Sequence, residues 1–467
     1  MTAILALLLT GALFVWFMRL ERTGRSVIVV AFLLGLVIVE AVLYQSQNEI
    51  PIGLFHPDYR SLSFRLPDIV IPAAIVARLL QRGRTGTPNP TMMLWLALLA
   101  WLVTAGVVGV YDGNPLKLVG FHGKAIVYLG ALVIAADIPL EQYIAKGRLE
   151  RFLGWAAALA LVLIATDIAH VDITRDLPLL PLQNLGTMGS DAATIFTGLG
   201  SLAVAIGLFS AERRGRLLAT AVPLLATPVV ADQRAAFIAL GLSLATVLAG
   251  MLLSHRRVHV TPTEGALAVA AVAAILLVST LPGLIGDTTV KLPFQNELTT
   301  TFTSYEEVLT TRDRLNQWSA AGPLIAERPI FGWGLGKEYT YYDPGHLVFK
   351  PIDLTHNIFG DLLLRSGAVG LALFLLALGS TAIRLVRAWW TQGDDRAAAF
   401  ALGAGAVVAG LLGKGMAESI FEKYRLCIAL GLGIGTMLAA GLPSRRRSRA
   451  PGEARPPRDL QVAEDLV

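Results

Sequence analysis

Residues 91–111 read TMMLWLALLAWLVTAGVVGVY, a stretch without one charged side chain. As a helix rising about 1.5 Å per residue it spans roughly 30 Å, the hydrocarbon thickness of a bilayer. Working outward, comparable apolar runs recur near 2–18, 26–44, 66–81, 123–138, 151–168, 190–210, 216–231, 235–253, 265–285, 367–387, 396–413 and 425–442. With 91–111 these make about 13 expected transmembrane helices. The composition agrees: 54% of the 467 residues are hydrophobic and only 16% charged, against roughly 25% charged in soluble domains. Mean hydropathy is +0.61. The fold class expected is an all-α polytopic membrane protein.

Charge placement orients the chain. The net charge is +5, but the basic residues sit in clusters beside apolar runs, which encodes topology and argues against a nucleic-acid partner. Arg19/Arg22/Arg25, Arg82/Arg84, Lys146/Arg148/Arg151, Arg213/Arg214/Arg216, Arg256/Arg257, Arg384/Arg387 and Arg445 to Arg449 each follow an odd-numbered span. Cytoplasmic basic loops therefore predict an outer N-terminus and a cytoplasmic C-terminus. The first apolar run has no basic residue before it, so it reads as a retained helix and not as a cleaved leader. Cys427 stands alone inside an apolar run, which excludes an intramolecular disulfide or a multi-cysteine metal site.

Four regions follow: helices 1–10 over 1–285, a long extracytoplasmic loop over 286–366, helices 11–13 over 367–442, and a disordered tail over 443–467. Long connections without a span usually carry function. Within the loop, 306–328 has helical spacing, with Val308, Leu315, Trp318, Leu324 and Ile325 on a common face, and Pro329 ending the helix. Arg314 and Trp318 stand four apart on it. The run Pro329–Gly336 has glycine at alternate positions, which suits close approach of backbone to a ligand or another helix; as a phosphate cradle it is weak evidence. Asp353-Leu354-Thr355-His356-Asn357 then precedes an apolar helix, placing His356 near a helix start.

Arg234 (in Asp232-Gln233-Arg234-Ala235-Ala236) lies in another outer turn. Taken singly, each of Arg234, Arg314 and His356 has a plain reading as an anchor, a solvated charge or an interfacial histidine. Lys117, His122 and Lys124 read as interfacial, Glu418 pairs with Lys423, and Asp394-Asp395 is a solvated turn. His346 and Tyr339 to Tyr342 are weak candidates for stacking on a sugar.

Arg314-x-x-x-Trp318 followed by Pro329-Ile330-Phe331-Gly332-x-Gly334-x-Gly336, then His356-Asn357 with Leu362-Leu363 and Gly367-x-x-Gly370, resembles the O-antigen ligase and polymerase family of bacterial membrane glycosyltransferases. The Arg234 segment is similar to a third motif of that family. The resemblance covers about a third of the chain, roughly 225–385. It implies an enzyme of the bacterial cytoplasmic membrane that moves or polymerises a glycan from undecaprenyl pyrophosphate onto a glycan or lipid acceptor, without metal or cofactor. It also implies His356 as the catalytic base, and Arg234 and Arg314, with Arg312 secondary, on the pyrophosphate. Guanidinium forks suit phosphate oxygens, and neutral imidazole suits proton removal near neutral pH. A transporter or flippase is the alternative, though such proteins place ionisable residues at mid-membrane, and here charges cluster at span ends with Glu40 and Arg78 nearest to exceptions.

Overall fold

The computed structural model describes residues 2–43, 66–81, 89–168, 189–209, 213–231, 234–253 and 305–440. The helices are α1 (Thr2–Arg22), α2 (Ser26–Leu43), α3 (Leu66–Gln81), α4 (Pro90–Tyr111), α5 (Leu116–Leu129), α6 (Leu132–Ala135), α7 (Leu140–Ile144), α8 (Arg148–Ile168), α9 (Ser190–Phe209), α10 (Arg214–Ala231) and α11 (Arg234–Leu252). After them come α12 (Tyr305–Glu327), strands β1 (Tyr339–Asp343) and β2 (Val348–Ile352), then α13 (Ile358–Thr391), α14 (Asp395–Ala417) and α15 (Tyr424–Ala439).

Seven described helical stretches are long and apolar enough to cross a bilayer: Pro90–Tyr111, Leu116–Ala135, Arg148–Asp167, Ser190–Phe209, Ala235–Leu252, Ile358–Thr391 and Asp395–Ala417. Two shorter apolar helices, Ser26–Val42 and Tyr424–Ala439, accompany them. The chain is a multi-pass membrane protein. Three further expected spans coincide with α1, α3 and α10, which fall outside those length and apolarity limits among the described residues. The expected span at 265–285 lies outside the described residues, as do 286–304 of the long loop and the tail.

Two lipid-soluble helices gain little from hydrophobicity alone, so membrane helices associate through close packing of small residues. α14 is built for this, with Ala397, Ala398, Ala399, Ala401, Gly403, Ala404, Gly405 and Ala406 in sequence and buried. A Cβ on Gly403 would lie 2.9 Å from Leu202 Cα of α9, and Gly413 is filled by Leu242 and Ile238 of α11. Ser243 of α11 donates to the Ala406 carbonyl of α14 at 2.9 Å. The helix starts where Asp394 Oδ1 accepts from Arg396 N (2.9 Å) and Ala397 N (3.4 Å), so Asp394, read as a solvated turn, is an N-cap.

The all-α expectation is corrected by one β-hairpin. Tyr339 pairs with Ile352 and Asp343 with Val348. β1 alternates buried and exposed along its five residues, Tyr339, Tyr341 and Asp343 pointing in, the period-two pattern of a half-buried strand. Asp343 organises the turn, accepting from Gly345 N at 2.9 Å and binding Lys350 Nζ at 2.5 Å. Tyr339, Tyr341 and Ile352 pack with Ala321 and Leu364 into a small separate core, to which Leu324, Ile325 and Trp333 add. The expected apolar face of α12 is corrected in part: Leu324 and Ile325 pack inward and the Trp318 ring rests on Gly360 of α13, but Leu315 is exposed. The side chain of Val308 lies outside the described residues.

The Pro329–Gly336 run is a seam between this outer segment and the bundle. Gly332, Gly334 and Gly336 all take positive φ, between 71° and 82°, which other residues rarely adopt. Leu335 N donates to the Ala105 carbonyl of α4 at 2.9 Å, and Asn114 Nδ2 donates to the Trp333 and Leu335 carbonyls at 3.0 Å each. Gly334 and Gly109 meet backbone to backbone. α13 itself is broken at Gly367 (φ 65°, ψ −169°), at the start of the expected eleventh span. The seam satisfies both stumps: Trp333 N and Gly334 N donate to the Leu364 and Arg365 carbonyls at 2.9 and 3.0 Å. Ala368 N and Val369 N in turn donate to Pro329 and Ile330 at 2.8 and 3.3 Å.

Candidate active site

The first half of α13 presents His356. Its N-cap is Asn357, whose Oδ1 accepts from Phe359 N at 2.9 Å and Gly360 N at 3.2 Å. The Asn357 amide also donates to the Met416 carbonyl at 3.0 Å, tying the start of α13 to the end of α14. Asp361, 1% exposed, reaches back to accept from Thr355 N (2.8 Å) and Thr355 Oγ1 (3.1 Å) and also binds Ser419. The turn carrying His356 is therefore held from both sides.

α12 lies over this turn. A Cβ on Gly360 would come within 2.7 Å of the Trp318 ring, so the indole sits where only glycine leaves room. Gln317 Oε1 is 2.7 Å from His356 Nδ1. Burial, and then the nearby Arg314 charge, hold the His356 pKa below its ordinary value, with Asp313, Glu418 and Asp361 opposing. Its place just before a helix N-terminus also disfavours the imidazolium. Arg314 is half-buried, whereas Arg312, two residues earlier and so on nearly the opposite side of the helix, is exposed.

Arg234 opens α11. α11 runs antiparallel to α14, with Ser243 against Ala406 and Ile238 against Gly413. The first turn of α11 consequently lies at the level where α14 ends and where Asn357 binds Met416. The backbone brings the positions of Arg234, Arg314 and His356 to one end of the bundle.

A cluster built around the expected Glu418–Lys423 pair, and larger than it, adjoins them. Lys414, fully buried, donates to Ser190 Oγ and to Asp191 Oδ1 at 2.9 Å, and lies 3.6 Å from Glu418. Lys423 pairs with Glu418, as expected, and stands 3.3 Å from Asp191; Arg425 is 3.7 Å from the same carboxylate. Burial works against the charge of Glu418, yet Lys414 and Lys423 hold its pKa below the usual carboxylate range. Likewise Asp191 and Glu418 outweigh burial and raise Lys423. Glu40 also acts on Arg425, so three cations are met by three carboxylates. Lys414, Glu418, Lys423 and Arg425 are close in sequence, from the end of α14 to the start of α15, but Asp191 comes from α9, more than 200 residues earlier, and no local pattern could have added it.

His122, read as interfacial, is instead buried on α5. Gly336 N donates to its Nδ1 at 3.0 Å, and its Nε2 is 3.4 Å from Asp353. Arg365 donates to the Asp353 carbonyl at 2.7 Å and lies 3.6 Å from Asp361. Lys124 pairs with Asp68 of α3 at 2.7 Å, while Lys117 is exposed. The glycine run is no phosphate cradle, because the N–H groups of residues 332 to 336 all donate within the protein. Tyr339 and Tyr341 are buried in the small core; Tyr342 is exposed and packs edge-on against Phe349, with ring centroids 5.4 Å apart. His346 stays on the hairpin turn, 2.9 Å from Asp343. Among the described residues, no group of three or more His, Cys, Asp or Glu is placed to hold a metal ion.

Residues 219–375 match the family model described as O-antigen ligase. That third of the chain carries the O-antigen ligase family resemblance, and it contains Arg234, Arg314, the glycine seam and His356. No curated protein matches the chain.

Proposed function

We propose that this chain, with its O-antigen ligase segment, is a membrane glycosyltransferase of cell-envelope polysaccharide assembly. It moves or polymerises a glycan from undecaprenyl pyrophosphate onto an acceptor hydroxyl, at the outer leaflet of the bacterial cytoplasmic membrane. The N-terminus lies outside and the C-terminus inside, and the segment 286–366 is catalytic.

The observation that carries the reading is the juxtaposition of a half-buried histidine, kept neutral by burial, with the Arg314 guanidinium. In the reaction the acceptor oxygen attacks the anomeric carbon while His356 Nε2 takes its proton. The bond from that carbon to the phosphate oxygen breaks, and the lipid pyrophosphate leaves with the electron pair. Arg314 and Arg234 meet the charge that develops on it; each charge-assisted hydrogen bond is worth about 1.5–3 kcal/mol. Arg312, on the exposed side of the same helix, contributes long-range attraction only. General-base assistance by the histidine is worth about 10²–10⁴ in rate.

The test is a deletion strain complemented with His356→Ala, with membrane insertion checked in parallel. The expected result is an inserted protein, accumulated lipid-linked glycan and loss of transferred or polymerised product. Unchanged pools of both, with the protein inserted, would refute the reading. Loss of chain length identifies a polymerase; intact lipid-linked polymer with an unmodified acceptor identifies a ligase.

A further inference from the structure

Gln317 is 1% exposed and bridges two side chains whose chemistry leaves its amide one orientation. Its Nε2 donates to Asp313 Oδ2 at 2.9 Å, and an ionised carboxylate only accepts. Its Oε1 therefore faces His356 Nδ1 at 2.7 Å, and an amide oxygen only accepts. The proton in that contact belongs to Nδ1. A neutral imidazole carries one ring proton, so the lone pair is left on Nε2. We propose that Asp313 and Gln317 are positioning residues that fix His356 in the Nδ1–H tautomer and thereby present Nε2 as the atom that takes the acceptor's proton. The inference rests on the reading of His356 as the base.

One turn of α12 supplies the whole device. Asp313 and Gln317 are four apart and so neighbours on one helix face, with Arg314 between them. The hairpin closes it from behind, since the buried Tyr341 hydroxyl meets Lys350, Asp313 and Gln317. An amide in this place has a consequence that a carboxylate lacks. Glu at 317 would still accept from Nδ1–H, but its second oxygen would face the Asp313 carboxylate in place of a donor, and its charge would stabilise the imidazolium, which cannot act as a base. Gln orients without adding charge. The charged groups facing His356 are then Arg314 and Asp313 from α12, Glu418 from the turn after α14, and Asp361 from its own helix.

The decisive measurement is ¹⁵N NMR of histidine-labelled full-length protein in lipid nanodiscs, which distinguishes the two neutral tautomers directly. The chain has 7 histidines, and His356→Gln identifies the signal of interest. In the wild type His356 is expected as Nδ1–H. Gln317→Met, nearly the same size but without an acceptor, is expected to redistribute the proton toward Nε2–H. Gln317→Glu is expected to keep Nδ1–H and to move the titration of His356 up by about one to three pH units.

Transfer from the host strain's own lipid-linked glycan, in detergent-solubilised membranes, supplies the kinetic readout. Gln317→Glu should shift the acid limb of activity to higher pH, whereas Gln317→Met should lower activity at every pH. A Gln317 that merely holds the fold together would lower both variants alike and leave the tautomer untouched. An Nε2–H His356 in the wild type, or an unchanged tautomer in Gln317→Met, overturns the proposal. Full transfer by His356→Gln overturns the base reading itself, and with it the catalytic half of the proposal, whatever the tautomer.

Discussion

Gly367→Ala is a sharp test of how the outer segment is joined to the membrane bundle. Gly367 breaks α13 with φ 65° and ψ −169°, a region essentially confined to glycine, so an L-residue there costs about 1–3 kcal/mol in backbone strain. The added Cβ would fall on the Ile330 carbonyl and crowd Phe331 N. Relief requires residues 329–331 to move away, which loosens the bonds from Ala368 N to Pro329 and from Val369 N to Ile330. At about 0.5–1.5 kcal/mol for each, the two effects together amount to about 2–6 kcal/mol, a large share of a typical folding free energy. The same helix supplies its control: a Cβ on Gly379 would meet nothing within 4 Å, so Gly379→Ala should be neutral or slightly stabilising. The assay is the fraction of detergent-solubilised protein that stays monodisperse after heating, with both variants measured beside the wild type. Gly367→Ala should melt well below the other two. If it melts together with Gly379→Ala, the break is not held as the seam requires and the reasoning fails.

Three further predictions follow from the site. Arg314→Gln removes a charge that lowers the His356 pKa, so His356 should protonate at higher pH, read by histidine ¹⁵N titration; an unchanged titration would place Arg314 elsewhere. Because the folded pKa lies below the unfolded value, the contribution of His356 to stability is fully present above the unfolded pKa, near 6.5, and is lost progressively as pH falls from there through the folded pKa. Lys414→Ala removes the fully buried cation while Lys423 and Arg425 still face the carboxylates, and should cost about 1.5–3 kcal/mol, seen as earlier melting. Asp361→Ala strips acceptors from Thr355 and Ser419, and should speed amide exchange at Thr355 while transfer falls.

What the sequence displayed was whatever repeats locally. Apolar runs such as 91–111 announce themselves because a bilayer demands an uninterrupted length, and His356 stood out because a polar segment runs directly into an apolar helix. Arg314 is preferred to Arg312 only through the Arg314-x-x-x-Trp318 frame of the family resemblance; in the structure Arg314 is half-buried and Arg312 exposed. The hairpin was within reach: Asp343-Pro344-Gly345 is a turn signal between aromatic, alternating segments. Leu315 departs from the expected packing because an apolar residue on a helix face does not say what that face meets, whereas Trp318 does lay its ring on Gly360. Gln317 is one polar residue in a polar helix, and its meaning exists only once His356 is packed against it. The grouping of Asp191 with Lys414, Lys423 and Arg425 is likewise a product of tertiary packing.

The meeting of Gly334 with Gly109 bears on how related chains can vary. A Cβ at 334 would enter the backbone of 109, and a Cβ at 109 would lie 2.9 Å from Leu335 N. Neither position can enlarge alone, and enlarging both makes the collision worse, so descendants of this sequence should keep the pair together. In an alignment the two glycines will look as invariant as His356, although neither offers a group that could do chemistry. Invariance at 109 and 334 should be counted as a record of backbone contact, and a search for reactive residues that ranks positions by conservation alone will mistake this joint for part of the catalytic centre.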